Sequence, residues 1–225
     1  MNISTLLLTI IGFLVVVYIL SYFFNGKKTL SNFASAKTEL VVPSSSLPPG
    51  TTVNFTYSIW IYIDDWSYRY GQEKVIFSRG STSGLMPALS LAPIENTLHV
   101  TTSITDGQPF ETVVQNIPIQ KWTNLIVSLN TRTLDIYVNG KLVRTSVLPG
   151  MPELDPNAEL HLTPRGGFSG YTSRFNYWSD TINPQEAWNV YKNGPGGNIF
   201  SSFFNQYKIQ FSFLKGDDVK ASLTI

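Results

Sequence analysis

The chain contains no cysteine. Disulfide scaffolds, cysteine-ligated zinc and thiol nucleophiles are therefore excluded. Charge is scarce as well: Asp, Glu, Lys and Arg make up 14% of the residues, against about 25% in typical domains. The net charge is +1, with no basic stripe of the kind that holds nucleic acid. Two histidines are present, His99 and His161. Each stands alone in a strand pattern without a partner for a triad, and each reads as a satisfied polar position. Helical periodicity is missing from nearly the whole chain, which argues against an alternating α/β sheet. No cofactor is expected, and no residue set reads as catalytic.

Aromatic residues are plentiful, with five Trp, eleven Tyr and fourteen Phe. Together with many Thr, Ser and Val, they favour strands. The most informative stretch is 121–148, KWTNLIVSLNTRTLDIYVNGKLVRTSVL. Leu125, Val127 and Leu129 alternate, as do Leu134, Ile136 and Val138, so each run presents one face to a core. Asn139-Gly140 follows, and both residues tolerate the positive φ of a type I′ hairpin turn. Three consecutive antiparallel strands are predicted. Residues 53–64 alternate too: Phe55, Tyr57, Ile59, Ile61 and Ile63 share one face, and Trp60 lies centrally on the other. Both faces are apolar at the centre, so this strand should be covered on both sides. Further strands are expected at 75–78, 88–92, 98–104 and 112–116, with turns at 80–84, Glu95-Asn96 and Asp106-Gly107. Short strands at regular spacing indicate a sandwich.

The one helix signal is NPQEAWNVYKNG. Asn183 suits the N-cap, Pro184 the first turn, Glu186 a capping box, and Gly194 the C-terminal stop. A helix over 184–192 is predicted, with Trp188 and Tyr191 on one face. The tail predicts a hairpin over 207–225 that adds strands to the sandwich.

The N-terminus differs from everything after it. Residues 6–24, LLLTIIGFLVVVYILSYFF, carry no charge. At about 1.5 Å per residue the run approaches the ~30 Å hydrocarbon thickness. Leu6, Phe13, Tyr18 and Phe24 would contact lipid. A cleaved signal peptide wants a charged start and a shorter apolar core, so a retained single-pass anchor is expected over 1–28. Lys27 and Lys28 place the following domain on the cytoplasmic side. Residues 29–52, rich in Ser, Thr and Pro, read as a tether, although 38–42 has the composition of an edge strand. The domain proper is then 53–225.

The phrases FTYSIWIYI, VIFSRG, IPIQKWTNLIVSLN, LDIYVNGKLV and GFSGYTSRFNYWSDTINPQEAWNVYKNGP, in that order, resemble the laminin-G-like members of the concanavalin A-like lectin/glucanase superfamily. The resemblance implies an all-β, antiparallel jelly-roll sandwich with one short helix. It makes Trp60, Trp122, Tyr137, Asn139, Gly140, Asn183 and Trp188 framework positions. Many members carry an Asp-Glu pair after the glycine of the closing phrase. Here Gly170 is followed by Tyr171, Thr172, Ser173 and Arg174, which removes that acidic site. The closing phrase also resembles anchored sandwich proteins of large icosahedral DNA viruses. That implies a minor capsid protein between internal membrane and shell, with capsid proteins as partners.

A glucanase on this fold needs carboxylates alternating on a strand. The nearest approach, Glu153-Leu154-Asp155, is flanked by Pro152 and Pro156 and reads as a loop. Asp64 and Asp65 are candidates for calcium, which takes six or more oxygens where two are visible. Arg165, before Gly166-Gly167, is an anion candidate on a loop. Trp66, Tyr68 and Tyr70 are the remaining site candidates, since aromatic faces contact sugars and anchor protein interfaces. Two functions follow: a non-enzymatic structural protein in a virion, or a membrane-tethered lectin.

Overall fold

The computed structural model describes residues 11–13, 15–16, 27–47, 53–81, 84–105, 108–153, 155–196, 210–215 and 218–224. Two antiparallel sheets pack face to face. The larger has the order β1 (Lys27–Ser31), β13 (Ser169–Trp178), β4 (Phe55–Asp65), β9 (Thr123–Asn130), β10 (Thr133–Val138) and β11 (Lys141–Val147), with β2 (Ala34–Ser35) beside β13. The smaller has the order β3 (Leu40–Val42), β12 (Leu160–Leu162), β5 (Lys74–Ser81), β6 (Gly84–Leu91), β7 (Leu98–Thr102) and β8 (Phe110–Val114).

The alternating residues of β4 explain the layering. Phe55, Tyr57, Ile59, Ile61 and Ile63 enter the core between the sheets, where they meet Leu125, Val127, Leu134, Ile136, Phe77, Leu89, Val100 and Phe175. The opposite face of β4 is covered as predicted. Helix α1 (Pro184–Lys192) lies over it, and Tyr191 stacks on Trp60 at 5.6 Å between centroids and 20° between planes. Ile126 and Tyr137 form a second small core there with Ala187. The helix begins with the predicted capping box: Glu186 N–H donates to Asn183 Oδ1, and Asn183 N–H to Glu186 Oε2. Gly194 closes it at φ 65°.

The Asn139-Gly140 turn has φ of 51° and 72°, as a type I′ hairpin requires. Asn139 Oδ1 also accepts from the N–H of the buried Asn124 at 3.0 Å. Asn139→Val is therefore expected to cost on the order of 3 kcal/mol, from a β-branched residue at positive φ and an orphaned buried N–H. Denaturant unfolding of the detergent-solubilised chain measures this; a loss under 1 kcal/mol would show that Asn139 is not the framework residue it is taken for.

Three expectations are corrected. The segment read as a tether, 29–52, is largely part of the sandwich. It completes β1 and supplies β2, β3 and a 3₁₀ turn over Ser44–Ser46. Its Ser and Thr residues were misleading because an edge strand is held by backbone hydrogen bonds, which composition does not reveal. Lys27 and Lys28 are not free flanking charges: both belong to β1, with Lys27 Nζ 5.7 Å from the Trp178 ring centroid. Burial pushes the Lys27 ammonium below its ordinary pKa. The C-terminal hairpin, β14 (Gln210–Lys215) and β15 (Asp218–Thr224), forms its own two-stranded sheet and does not extend either sandwich sheet.

Of the expected anchor, Leu6, Tyr18 and Phe24 lie outside the described residues, as does the Asp106-Gly107 turn. Residues 11–13 and 15–16 are helical, and Phe13 is exposed. Among the described residues, no helix is long and apolar enough to cross a membrane.

Candidate ligand-binding site

The strands fix two opposite ends of the sandwich. Lys27 pairs with Trp178 at one end of β13, and Ser35 pairs with Tyr171 toward the other. Seven residues of strand separate them, about 23 Å at ~3.3 Å per residue. The first strand begins with Lys27 at the Trp178 end. The site candidates cluster at the far end, where β4 runs out at Asp65.

There the structure separates residues that the sequence placed in one group. Trp66 is half-buried against the core, and its Nε1–H donates to Ile94 O at 3.0 Å. Lys74 Nζ sits over its ring at 4.7 Å from the centroid. The indole is thus fixed as the wall of an open cleft of about 560 Å³, lined also by Ile94, Asn96, Thr97, Gln115 and Ile119. Tyr68 points elsewhere: its hydroxyl donates to Gly166 O at 3.1 Å, under the Lys37 ammonium. Arg69 donates to Arg165 O and Gly167 O. Tyr68 and Arg69 therefore pin the loop that carries Arg165, whose side chain remains exposed. Tyr70 is exposed and takes no part in the cleft.

Asp65 is a turn former. Its two carboxylate oxygens accept from Ser67, one from the backbone N–H and one from the hydroxyl, both at 2.8 Å. Those bonds hold its pKa below the ordinary value. Asp64 is exposed at the end of the strand, and its carbonyl accepts from Gln120. No group of three potential metal ligands occurs among the described residues. Glu153 and Asp155 lie on the loop between β11 and β12, where Asp155 Oδ1 caps Asn157 N–H. They do not alternate on a strand. His99 and His161 are satisfied across strands by Glu111 and Glu39, at 2.6 and 2.8 Å.

The sequence reading missed Asn96, Thr97 and Gln115, which reach the cleft from two loops. It also missed a second aromatic group. On the outer face of the large sheet, beyond the cover of α1, Phe33 stacks on Tyr171 at 5.2 Å and 23°, and Trp122 sits 6.3 Å from Phe33 and 5.6 Å from Tyr62. Trp122 is half-buried on this outer face, so it is not a residue of the main core.

Two antiparallel sheets packed face to face, with one short helix on an outer face, make the architecture of a concanavalin A-like sandwich. The family model described as the concanavalin A-like lectin/glucanase superfamily, of laminin-G type, matches residues 34–188, and the chain belongs to that family. No curated protein sequence matches it. Among solved structures it is similar to the binding domain of botulinum neurotoxin serotype G, with a TM-score of 0.58 and 14% identity over 74% of this chain and 46% of that one. It is also similar to the serotype D ligand-binding domain in complex with N-acetylneuraminic acid, at 0.58 and 16% over 75% and 46%. The serotype DC binding domain in complex with rat synaptotagmin II scores 0.57 at 13% over 72% and 42%. The chain spans less than half of each of these, and at such identity the likeness establishes the fold alone.

Proposed function

We propose that the chain is a non-enzymatic, glycan-binding sandwich tethered to a membrane by residues 6–24. The observation that carries the binding reading is the Trp66 cleft: an oriented indole in a lining shared with the polar residues Glu95, Asn96, Asn116 and the exposed Gln115, with Asn96 held in place by its Nδ2–H donating to Ile117 O. Sugars offer an apolar C–H face and a rim of hydroxyls, which this mixture of aromatic and amide groups complements. Support for the tether comes from the uncharged run itself and from the exposure, 50–68%, of helical Ile11, Phe13, Val15 and Val16. The cytoplasmic orientation rested on two lysines. Both follow the run within a few residues, where Lys and Arg set orientation, and both belong to β1, Lys27 with its ammonium over the Trp178 ring. Protease protection in sealed vesicles decides the side.

A second reading, a structural protein docked on a protein layer such as a viral capsid, is favoured by β11. This edge strand exposes Leu142, Val143 and Val147, and such an edge is a template for another chain.

A glycan array probed with the detergent-solubilised chain separates the two. Glycan binding is expected, with Trp66→Ala weakening it by about thirtyfold, or about 2 kcal/mol, as loss of a central aromatic contact does. Gln115→Ala, on an exposed loop, should lose several-fold through one hydrogen bond without moving the melting temperature. An array without signal, together with capture of a protein that is lost on Val143→Lys, would favour the structural reading.

A further inference from the structure

We infer that the outer-face aromatic shelf of Phe33, Tyr62, Trp122 and Tyr171 is a second stacking surface for the same ligand, which is therefore an extended glycan chain rather than a terminal sugar. This rests on the glycan reading of the Trp66 cleft. The shelf is built from distant parts of the chain: the loop after β1, the end of β4, the start of β9 and the start of β13. Phe33 is 65% and Tyr171 43% exposed, an uneconomical arrangement for large rings unless something covers them. Elsewhere on the same outer face, the rings of Trp60 and Tyr137 are buried under α1.

Three observations point to a sugar chain as the occupant. The shelf is continuous with the cleft through residues 119–122: Ile119 lines the cleft, Gln120 N–H is bonded to Ile63 O, and Trp122 belongs to the shelf. A ligand in the cleft that extends over this segment meets Trp122 next. Under Tyr62, Trp122 and Tyr171 the backbone is already paired between β4, β9, β13 and β2, so a peptide strand laid across these rings finds no ladder to join. The side chains offer ring faces and the Tyr62 and Tyr171 phenols, which have no hydrogen-bond partner among the described residues. Flat rings with hydroxyls at their edges suit successive pyranose units. Cleft and shelf also share the end of the sandwich remote from Lys27, the end that a tethered domain holds away from the bilayer.

The test uses linear oligosaccharides of increasing length, from disaccharide to hexasaccharide, of whichever sugar the array identifies. Binding is measured to the full chain and to Phe33→Ala, Tyr171→Thr and Trp66→Ala. Phe33 and Tyr171 are exposed, and threonine keeps the strand propensity of β13, so folding should survive. The native chain is expected to gain affinity with length. Each shelf variant should bind the disaccharide as the native chain does and the hexasaccharide about three- to tenfold more weakly. Trp66→Ala should weaken both. Shelf variants that match the native chain at every length overturn the extended ligand while leaving the cleft reading intact. No binding of any oligosaccharide by the native chain overturns both.

Discussion

Gly170→Ala is expected to abolish folding. Gly170 lies in β13 opposite Ile63, at a register shift, with φ of +148°. A Cβ there would stand 1.8 Å from Tyr62 O and 2.9 Å from Tyr62 C. Both atoms are backbone, so no rotamer change relieves the overlap. The only escape is to separate β13 from β4, the central pairing of the large sheet. Disruption of this kind belongs to the exceptional class above about 4 kcal/mol, comparable to the whole stability of many domains. The measurement is soluble yield and circular dichroism of the variant beside the native chain. A folded Gly170→Ala protein with a native melting temperature would mean that β4 and β13 do not approach as described.

Tyr57→Ala should come next in severity, at about 3–5 kcal/mol for the cavity alone. Tyr57 is buried among Tyr177, Phe77, Phe55 and Phe175, with ring centroids 4.9, 5.1, 5.4 and 6.1 Å away. Its oxygen also accepts from Arg79 Nη1 at 3.3 Å. Arg79 is 5% exposed and takes part in neither ion pair among the described residues. Its guanidinium is satisfied by neutral oxygens, those of Tyr57, Ala158 and Pro156, and by the Tyr177 ring. Removing the phenol therefore opens a cavity and leaves a buried cation short of an acceptor. Tyr57→Phe keeps the packing and should cost about 1–3 kcal/mol.

A pH dependence follows from the same residue. Burial, ahead of all other causes, raises the Tyr57 pKa above the ordinary phenol value. In the unfolded chain the phenol ionises near pH 10, while in the folded chain it stays neutral. The folded state therefore holds the proton that the unfolded state releases. This contribution is intact below about pH 10 and is lost as pH rises beyond it. Between about pH 9 and 11 the native protein should lose more stability than Tyr57→Phe does. Parallel curves for the two would show that the Tyr57 hydroxyl reaches water.

The core was legible where the chain speaks locally. The alternation of Phe55, Tyr57, Ile59, Ile61 and Ile63 identified the inner face of β4, and Trp60 announced cover on the outer one. Asn139-Gly140 specified its turn, and Asn183, Pro184 and Glu186 specified the helix start, because each depends on neighbours within a few residues. What stayed hidden depends on distant partners. Lys27 finds Trp178 and Leu40 finds Leu162 across more than a hundred residues, and no periodicity marks such edge strands. The site was obscured for the same reason. Trp66 was recognisable as an unassigned aromatic, but its companions arrive from loops at 94–97 and 115–119. Phe33 lay in a segment whose composition resembled a linker. The grouping of Trp66, Tyr68 and Tyr70 followed sequence adjacency, whereas the turn after β4 sends the three side chains to different surroundings.

Hydroxyl-radical footprinting of the full chain, with and without the bound glycan, tests the binding surface most directly. Protection is expected at Trp66, Ile94 and Ile119, and with a long chain also at Phe33, Trp122 and Tyr171. Leu142, Val143 and Val147 on β11 should react as before. Protection confined to β11, or unchanged reactivity at Trp66 under saturating glycan, would contradict the cleft as the binding site.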